Sequence, residues 1–266
     1  MSNKSCSLFI VTACAILFPI VSVGQIDNKG KIKPTFANVA YGDHERNRLD
    51  FWKAESSKPA PLVVVFHGGG FNKGDKSIIY GWKFLDGYLP KGVSFASVNY
   101  PFLQHTNNDY LEIMKHCRKA MDFIVANAEK WNIDKTRIAV YGSSAGALIS
   151  EWLGCNAMYI SAVGAYQQPM GTAELVLPYL KPGCPPIYVF QSSGTEDLLH
   201  NSKYASMLKK ACDEKNVECQ LWGSQKNGFT RLPGGKSPTN LMMDFCLKVW
   251  KMNPDDQLSK IDGVKQ

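Results

Sequence analysis

The sequence predicts an α/β fold, a single domain with helices packed on a mainly parallel sheet. Three observations predict it. Strand-like and helix-like stretches alternate along most of the chain, the pattern of strand–helix–strand units. "PLVVVFHGGG" from Pro61 is a continuous β-branched run ending in glycines, as a strand buried on both faces requires. The segment 108–131 carries apolar residues at 111, 114, 117, 120, 121, 124 and 125, the spacing of an amphipathic helix.

The elements follow in order. Lys4, the apolar run from Leu8 to Val23 and the small residues Ser22 and Gly24 read as a secretory signal over residues 1–24. The run falls short of the ~20 apolar residues of a comfortable membrane span. Residues 25–266 are then one domain. "FANVAYGDHERNRLDFWKA" (36–54) reads as an antiparallel hairpin turning near "GDHERN". Strands are expected at "VSFASVNY" (93–100), "RIAVYG" (137–142), "YISAVGAY" (159–166), "PIYVFQSSG" (186–194) and "ECQLWG" (218–223). Helices are expected at 108–131, in "ALISEWLG" after residue 146, at 203–212 and at 240–252, with a polar tail from Asn253.

Composition narrows the function classes. The 266 residues are 45% apolar, enough for one substantial core. Lys plus Arg number 30 against 23 Asp plus Glu, a formal charge of +7 spread without a dense basic run, which reads as a solvated surface and not a nucleic-acid face. Removing Cys6 and Cys14 with the signal leaves Cys117, Cys155, Cys184, Cys212, Cys219 and Cys246. An even number in an exported chain permits disulfides; Cys212 with Cys219, and Cys155 with Cys184, are pairings the spacing allows. No two Cys or His have C-x-x-C or H-x-x-x-H spacing, so no metal is implied, and no motif implies a cofactor.

Chemistry concentrates at the strand ends. "YGSSAG" sets Ser144 in Gly142-x-Ser144-x-Gly146, between the strand "RIAVYG" and a helix. A sharp strand-to-helix turn exposes the serine, and the following helix aims its first N–H groups at the place where an oxyanion would form. "HGGG", His67 to Gly70, follows another buried strand. A loop poor in side chains brings N–H donors close to a developing oxyanion.

Through these two motifs the sequence resembles the α/β-hydrolase family, in the esterase/lipase branch with an HGGG oxyanion loop, which takes in hormone-sensitive-lipase-like and carbohydrate-ester hydrolases. The resemblance runs from about Val39 to Trp250 through "VAYGDHERNRLDFWKA", "LVVVFHGGGF", "VNYPF", "RIAVYGSSAG" and "SSGTEDLL". It implies a mostly parallel sheet flanked by helices with a small or absent cap. It makes Ser144 the nucleophile, gives the oxyanion hole to Gly69, Gly70 and Ala145, leaves His67 to orient its own loop, and puts the acid at Asp197, with Glu196 the neighbouring alternative.

The departure comes at the last position. Where the family pattern has a histidine, this chain reads Asn227-Gly228-Phe229. An amide there can hydrogen-bond to both Asp197 and Ser144, but it cannot take up and return a proton near neutral pH. Among the five histidines, His200 is the substitute to weigh, three residues after Asp197; an ordinary loop histidine is the other reading. The function implied is an exported carboxylic ester hydrolase working through an acyl-enzyme on small acyl esters, its turnover in doubt because Asn227 replaces the base. The alternatives are a catalytically dead relative that binds a ligand or glycan, and a His-to-Asn variant of an ordinary esterase. The partner expected is a small-molecule or polysaccharide-linked ester, with no nucleic acid and no stable membrane insertion after signal cleavage. Phe71, Tyr100 and Trp222 are candidates for pocket lining or for core.

Overall fold

The computed structural model describes residues 26–27 and 30–252; the expected signal over 1–24, with Cys6 and Cys14, lies outside the described residues, as does the tail from Asn253. Eight strands, β1 (Phe36–Ala40), β2 (Arg48–Trp52), β3 (Ala60–Phe66), β4 (Ser94–Val98), β5 (Ile133–Ser143), β6 (Ile160–Tyr166), β7 (Ile187–Gln191) and β8 (Cys219–Gly223), form one sheet. Their order is β1-β2-β4-β3-β5-β6-β7-β8. Strand β2 runs antiparallel to both β1 and β4, and every pair from β4 to β8 is parallel.

Why these residues build this sheet is plainest at β3. All seven of its residues are buried, and alternate side chains enter two separate cores. Leu62, Val64 and Phe66 face one core and Val63 and Val65 the other, which is why the sequence reads as an unbroken apolar run. On the first face pack α2 (Tyr110–Ala126), α3 (Ala128–Trp131), α4 (Ala145–Asn156) and α6 (Ser202–Glu214); on the second, α1 (Phe84–Tyr88) and α7 (Pro238–Val249). The apolar stripe read at 108–131 is buried on α2 through Met114, Cys117, Ala120, Met121 and Ile124. That helix stops at Asn127, whose side-chain amide donates to the Phe123 carbonyl, and a separate short helix, α3, follows. A four-residue helix, α5 (Thr172–Leu175), and a 3-10 turn at Leu177–Tyr179 are all that stands between β6 and β7, so the cap is small.

The chain leaves β3 to form β4 on one side and returns across it to form β5 on the other. The carboxyl ends of β3 and β5 therefore flank a topological switch point, where open α/β sheets bind their ligands. Among the described residues the six cysteines are free thiols. Phe71 and Tyr100 are buried in the first core, and Trp222 is half-buried against the second. No helix of the described residues is long and apolar enough to cross a membrane.

Candidate active site

Strand β5 ends at Ser143 and α4 begins at Ala145, so Ser144 must turn the chain alone. It does so at φ 54°, ψ −120°, a backbone conformation that costs a non-glycine residue on the order of 1–3 kcal/mol. Its N–H donates to the Tyr166 carbonyl (2.9 Å), and its carbonyl accepts from Ala147 (2.8 Å). The flanking glycines are there for contact. A Cβ on Gly142 would stand 2.1 Å from the Gly146 carbonyl, and one on Gly146 would stand 2.2 Å from the Phe66 carbonyl. Strand and helix cross too closely for any side chain.

The glycine loop closes the other side. Gly69 sits at φ +107°, and a Cβ there would meet the Lys73 carbonyl at 2.1 Å. The N–H groups of Gly69, Gly70 and Ala145 donate to no acceptor among the described residues. His67 holds this loop from inside. It is 1% exposed, its ring stacks on Tyr100 at 4.2 Å between centroids, and its Nδ1 donates to the Gly68 carbonyl at 2.7 Å. Tyr100 in turn donates its hydroxyl to the His67 carbonyl (2.7 Å). Burial drives the His67 imidazole down from 6.5 to about 4, with Arg46 adding to the effect, so it is neutral.

Asp197 and His200 come from one loop after β7. Asp197 Oδ1 accepts from the N–H groups of Leu199 (3.0 Å) and His200 (2.8 Å), and this local turn throws the His200 ring towards the serine. His200 Nε2 lies 2.9 Å from Ser144 Oγ, and His200 Nδ1 lies 3.5 Å from Asp197 Oδ2. For Nε2 to accept the serine proton, the ring hydrogen must be on Nδ1, the side facing the carboxylate. The backbone N–H of His200 is the main cause holding the Asp197 carboxyl below the usual carboxylate range.

Contrary to expectation, Asn227 makes no hydrogen bond to Asp197 or Ser144 among the described residues. It ends a 3-10 turn at Gln225–Asn227, and its Nδ2 donates to the carbonyls of Ser193 (2.9 Å) and Ser192 (3.4 Å). The amide fastens the loop that leads to the acid, a task for which its two N–H donors suit it and a neutral imidazole's single one does not. Glu196, the alternative acid, is exposed, with its carboxyl next to the Thr195 hydroxyl. The signal that could have moved His200 ahead of Asn227 is its offset: three residues after an aspartate that caps its own turn, the side chain returns to the same edge. The order along the chain, serine, acid, histidine, is kept.

A family described as BD-FAE matches residues 49–167. Over 121 residues the chain is 30% identical to Esterase LipC of Mycobacterium tuberculosis, covering 45% of this chain and 29% of that protein. It is 31% identical over 117 residues to a probable isoprenylcysteine alpha-carbonyl methylesterase ICME of Oryza sativa subsp. japonica, 42% of this chain and 27% of that one. The chain thus spans less than a third of the length of these relatives. Among solved structures it superposes on a truncated carbohydrate esterase from gut microbiota with a TM-score of 0.67 at 15% identity, covering 81% of this chain and 96% of that chain. It also superposes on Thermogutta terrifontis esterase 2, phosphoramylated by tabun, with a TM-score of 0.59 at 17% identity, 84% against 93%. The family match takes in the glycine loop and Ser144 and ends before Asp197, His200 and Asn227. The sheet order, the serine turn beside the glycine loop and these superpositions show an α/β-hydrolase fold, and the family and relatives that the chain resembles over residues 49–167 include proteins named as esterases.

Proposed function

We propose that the chain is a carboxylic ester hydrolase in which Ser144 is the nucleophile, His200 the general base and Asp197 the acid that orients it. The observation that carries the reading is the 2.9 Å contact between His200 Nε2 and Ser144 Oγ. His200 takes the serine proton as Oγ attacks the ester carbonyl, and returns it to the leaving alcohol as the tetrahedral intermediate collapses to the acyl-enzyme. Water then enters by the same proton path. The N–H groups of Ala145, Gly69 and Gly70 supply the oxyanion hole. The 3.5 Å separation of His200 and Asp197 is long for a hydrogen bond, as catalytic contacts commonly are before substrate tightens them.

The segment between β6 and β7 is small, and the reading extends to small acyl groups on larger alcohols, including acyl groups on polysaccharide. Export, carried by the apolar run from Leu8 to Val23, belongs to the same reading; a mature chain beginning near Gln25 would support it. Turnover of a short-chain aryl ester tests the chemistry. Wild type should hydrolyse it, and Ser144→Ala and His200→Ala should each remove on the order of 10³-fold or more of kcat. Full activity in His200→Ala, or none in wild type over a broad ester panel, would sink the reading.

A further inference from the structure

Behind the nucleophile lies an acid that the chemistry above does not use. Glu151, two turns after Ser144 on the inner face of α4, is 0% exposed. Its Oε2 accepts from Gln168 Nε2 at 2.8 Å, and the same amide donates to Thr172 Oγ1 at 3.0 Å. Glu151 Oε1 and Gln168 Oε1 are both buried without a partner among the described residues. Two acceptors cannot satisfy each other. One proton resolves both: a hydroxyl at Glu151 Oε1 donating to Gln168 Oε1 closes an acid–amide ring with the bond already present. Burial drives the carboxyl well above the usual range, opposed only in part by the Gln168 bond.

From that ring the hydrogen bonds run to the base. The Gln168 main-chain N–H donates to Gln191 Oε1 (2.6 Å), and Gln191 Nε2 donates to the His200 carbonyl (2.5 Å). Gln168, Thr172 and Gln191 are all 0% exposed. The neighbouring carbonyl, of Leu199, is taken by the Met170 N–H at 2.7 Å. The His200 main chain is therefore fastened from the interior, by a chain that begins on the nucleophile's own helix.

We propose that Glu151, as a neutral acid, anchors an interior hydrogen-bond chain through Gln168 and Gln191 that holds His200 against Ser144. Glu151 and Gln191 are then positioning residues, and the inference rests on the triad reading above. Three variants test it, with kcat and KM on an aryl ester measured below each variant's melting temperature. Glu151→Leu and Gln191→Met should lower kcat by about 10- to 100-fold with KM unchanged, since small displacements of a base cost that much. Glu151→Gln should keep wild-type kcat, because an amide–amide ring replaces the acid–amide ring. The infrared carbonyl stretch of a protonated carboxyl should persist through neutral pH in wild type and vanish in Glu151→Gln.

Wild-type kcat in a folded Glu151→Leu overturns the proposal, and so does a Glu151→Gln variant as impaired as Glu151→Leu. Should Glu151→Leu fail to fold, wild-type kcat in Gln191→Met, or no infrared band lost in Glu151→Gln, overturns it instead. An active His200→Ala would bring down the triad reading itself. An inactive His200→Ala beside an unaffected Gln191→Met would bring down this proposal alone.

Discussion

Asn227 stands where the sequence reading expected a histidine, and its contacts define what it does here. With Nδ2 on the Ser192 and Ser193 carbonyls, Asn227 is a clasp for the acid loop. Asn227→Ala should cost about 0.5–1.5 kcal/mol in urea denaturation, the worth of hydrogen bonds at a half-buried site. Asn227→His should bring no gain in kcat, because a base already faces Ser144; a gain of 10² or more would return the base to that position. Gly146 makes the steric case. Gly146→Ala pushes a Cβ within 2.2 Å of the Phe66 carbonyl, so strand and helix must part. The expected cost is about 1–3 kcal/mol or more, whereas Gly81→Ala, with nothing within 4 Å, should be neutral and serves as the control.

Among the elements, α2 shows how local sequence and packing share the stabilisation. Asp109 caps it, its Oδ1 accepting from Leu111 (2.8 Å) and Glu112 (3.3 Å), and its charge complements the helix N-terminus. Ile113, Met114, Met121 and Ile124, each 0% exposed, seal the first core, at roughly 1.5–3 kcal/mol per side chain. Asp109→Ala should lower stability by about 1 kcal/mol, seen as a fall of roughly 2–4 °C in Tm for a chain of this size. The same periodicity made this helix legible in sequence, but its end at Asn127 was not, because an apolar stripe continues through Trp131 and only the Asn127 side-chain bond to Phe123 marks the break.

For the whole molecule, pH reports on the buried histidine. His67 titrates at 6.5 when free and at about 4 in the fold, so between these values the unfolded chain binds more protons. The stability it contributes is present above 6.5 and is lost as pH falls towards 4, in all about 3 kcal/mol. Burial lowers His44 and His116 as well, in the same direction. The melting temperature should fall between pH 7 and pH 4.5, and His67→Gln should flatten much of that slope; an unchanged slope would count against a neutral buried imidazole. The cost of burying that ring is offset by what it holds, the glycine loop and the Tyr100 stack.

What the sequence determined by itself was the scaffold and the two glycine motifs, around Ser144 and at His67 to Gly70, that lie at its strand ends. Continuous β-branched runs can only be strands covered on both faces, and the Gly-Ser-Gly and His-Gly-Gly-Gly patterns carry their geometry with them, because the backbone crossings they make admit no side chain. Asp197 was reached only through the family resemblance, which sets an acid in the turn after a buried strand. The partner of Ser144 was decided by tertiary structure alone. The three-residue offset from Asp197 makes His200 a candidate, but by itself it does not separate a catalytic histidine from a loop histidine. The choice depends on where two loops after β7 and β8 come to rest, and that follows from contacts far apart in the chain: Gln191 on the His200 carbonyl, Met170 on Leu199, and Asn227 on Ser193. Side chains separated by tens of residues meet only once the sheet has ordered them, and no periodicity or spacing encodes that meeting.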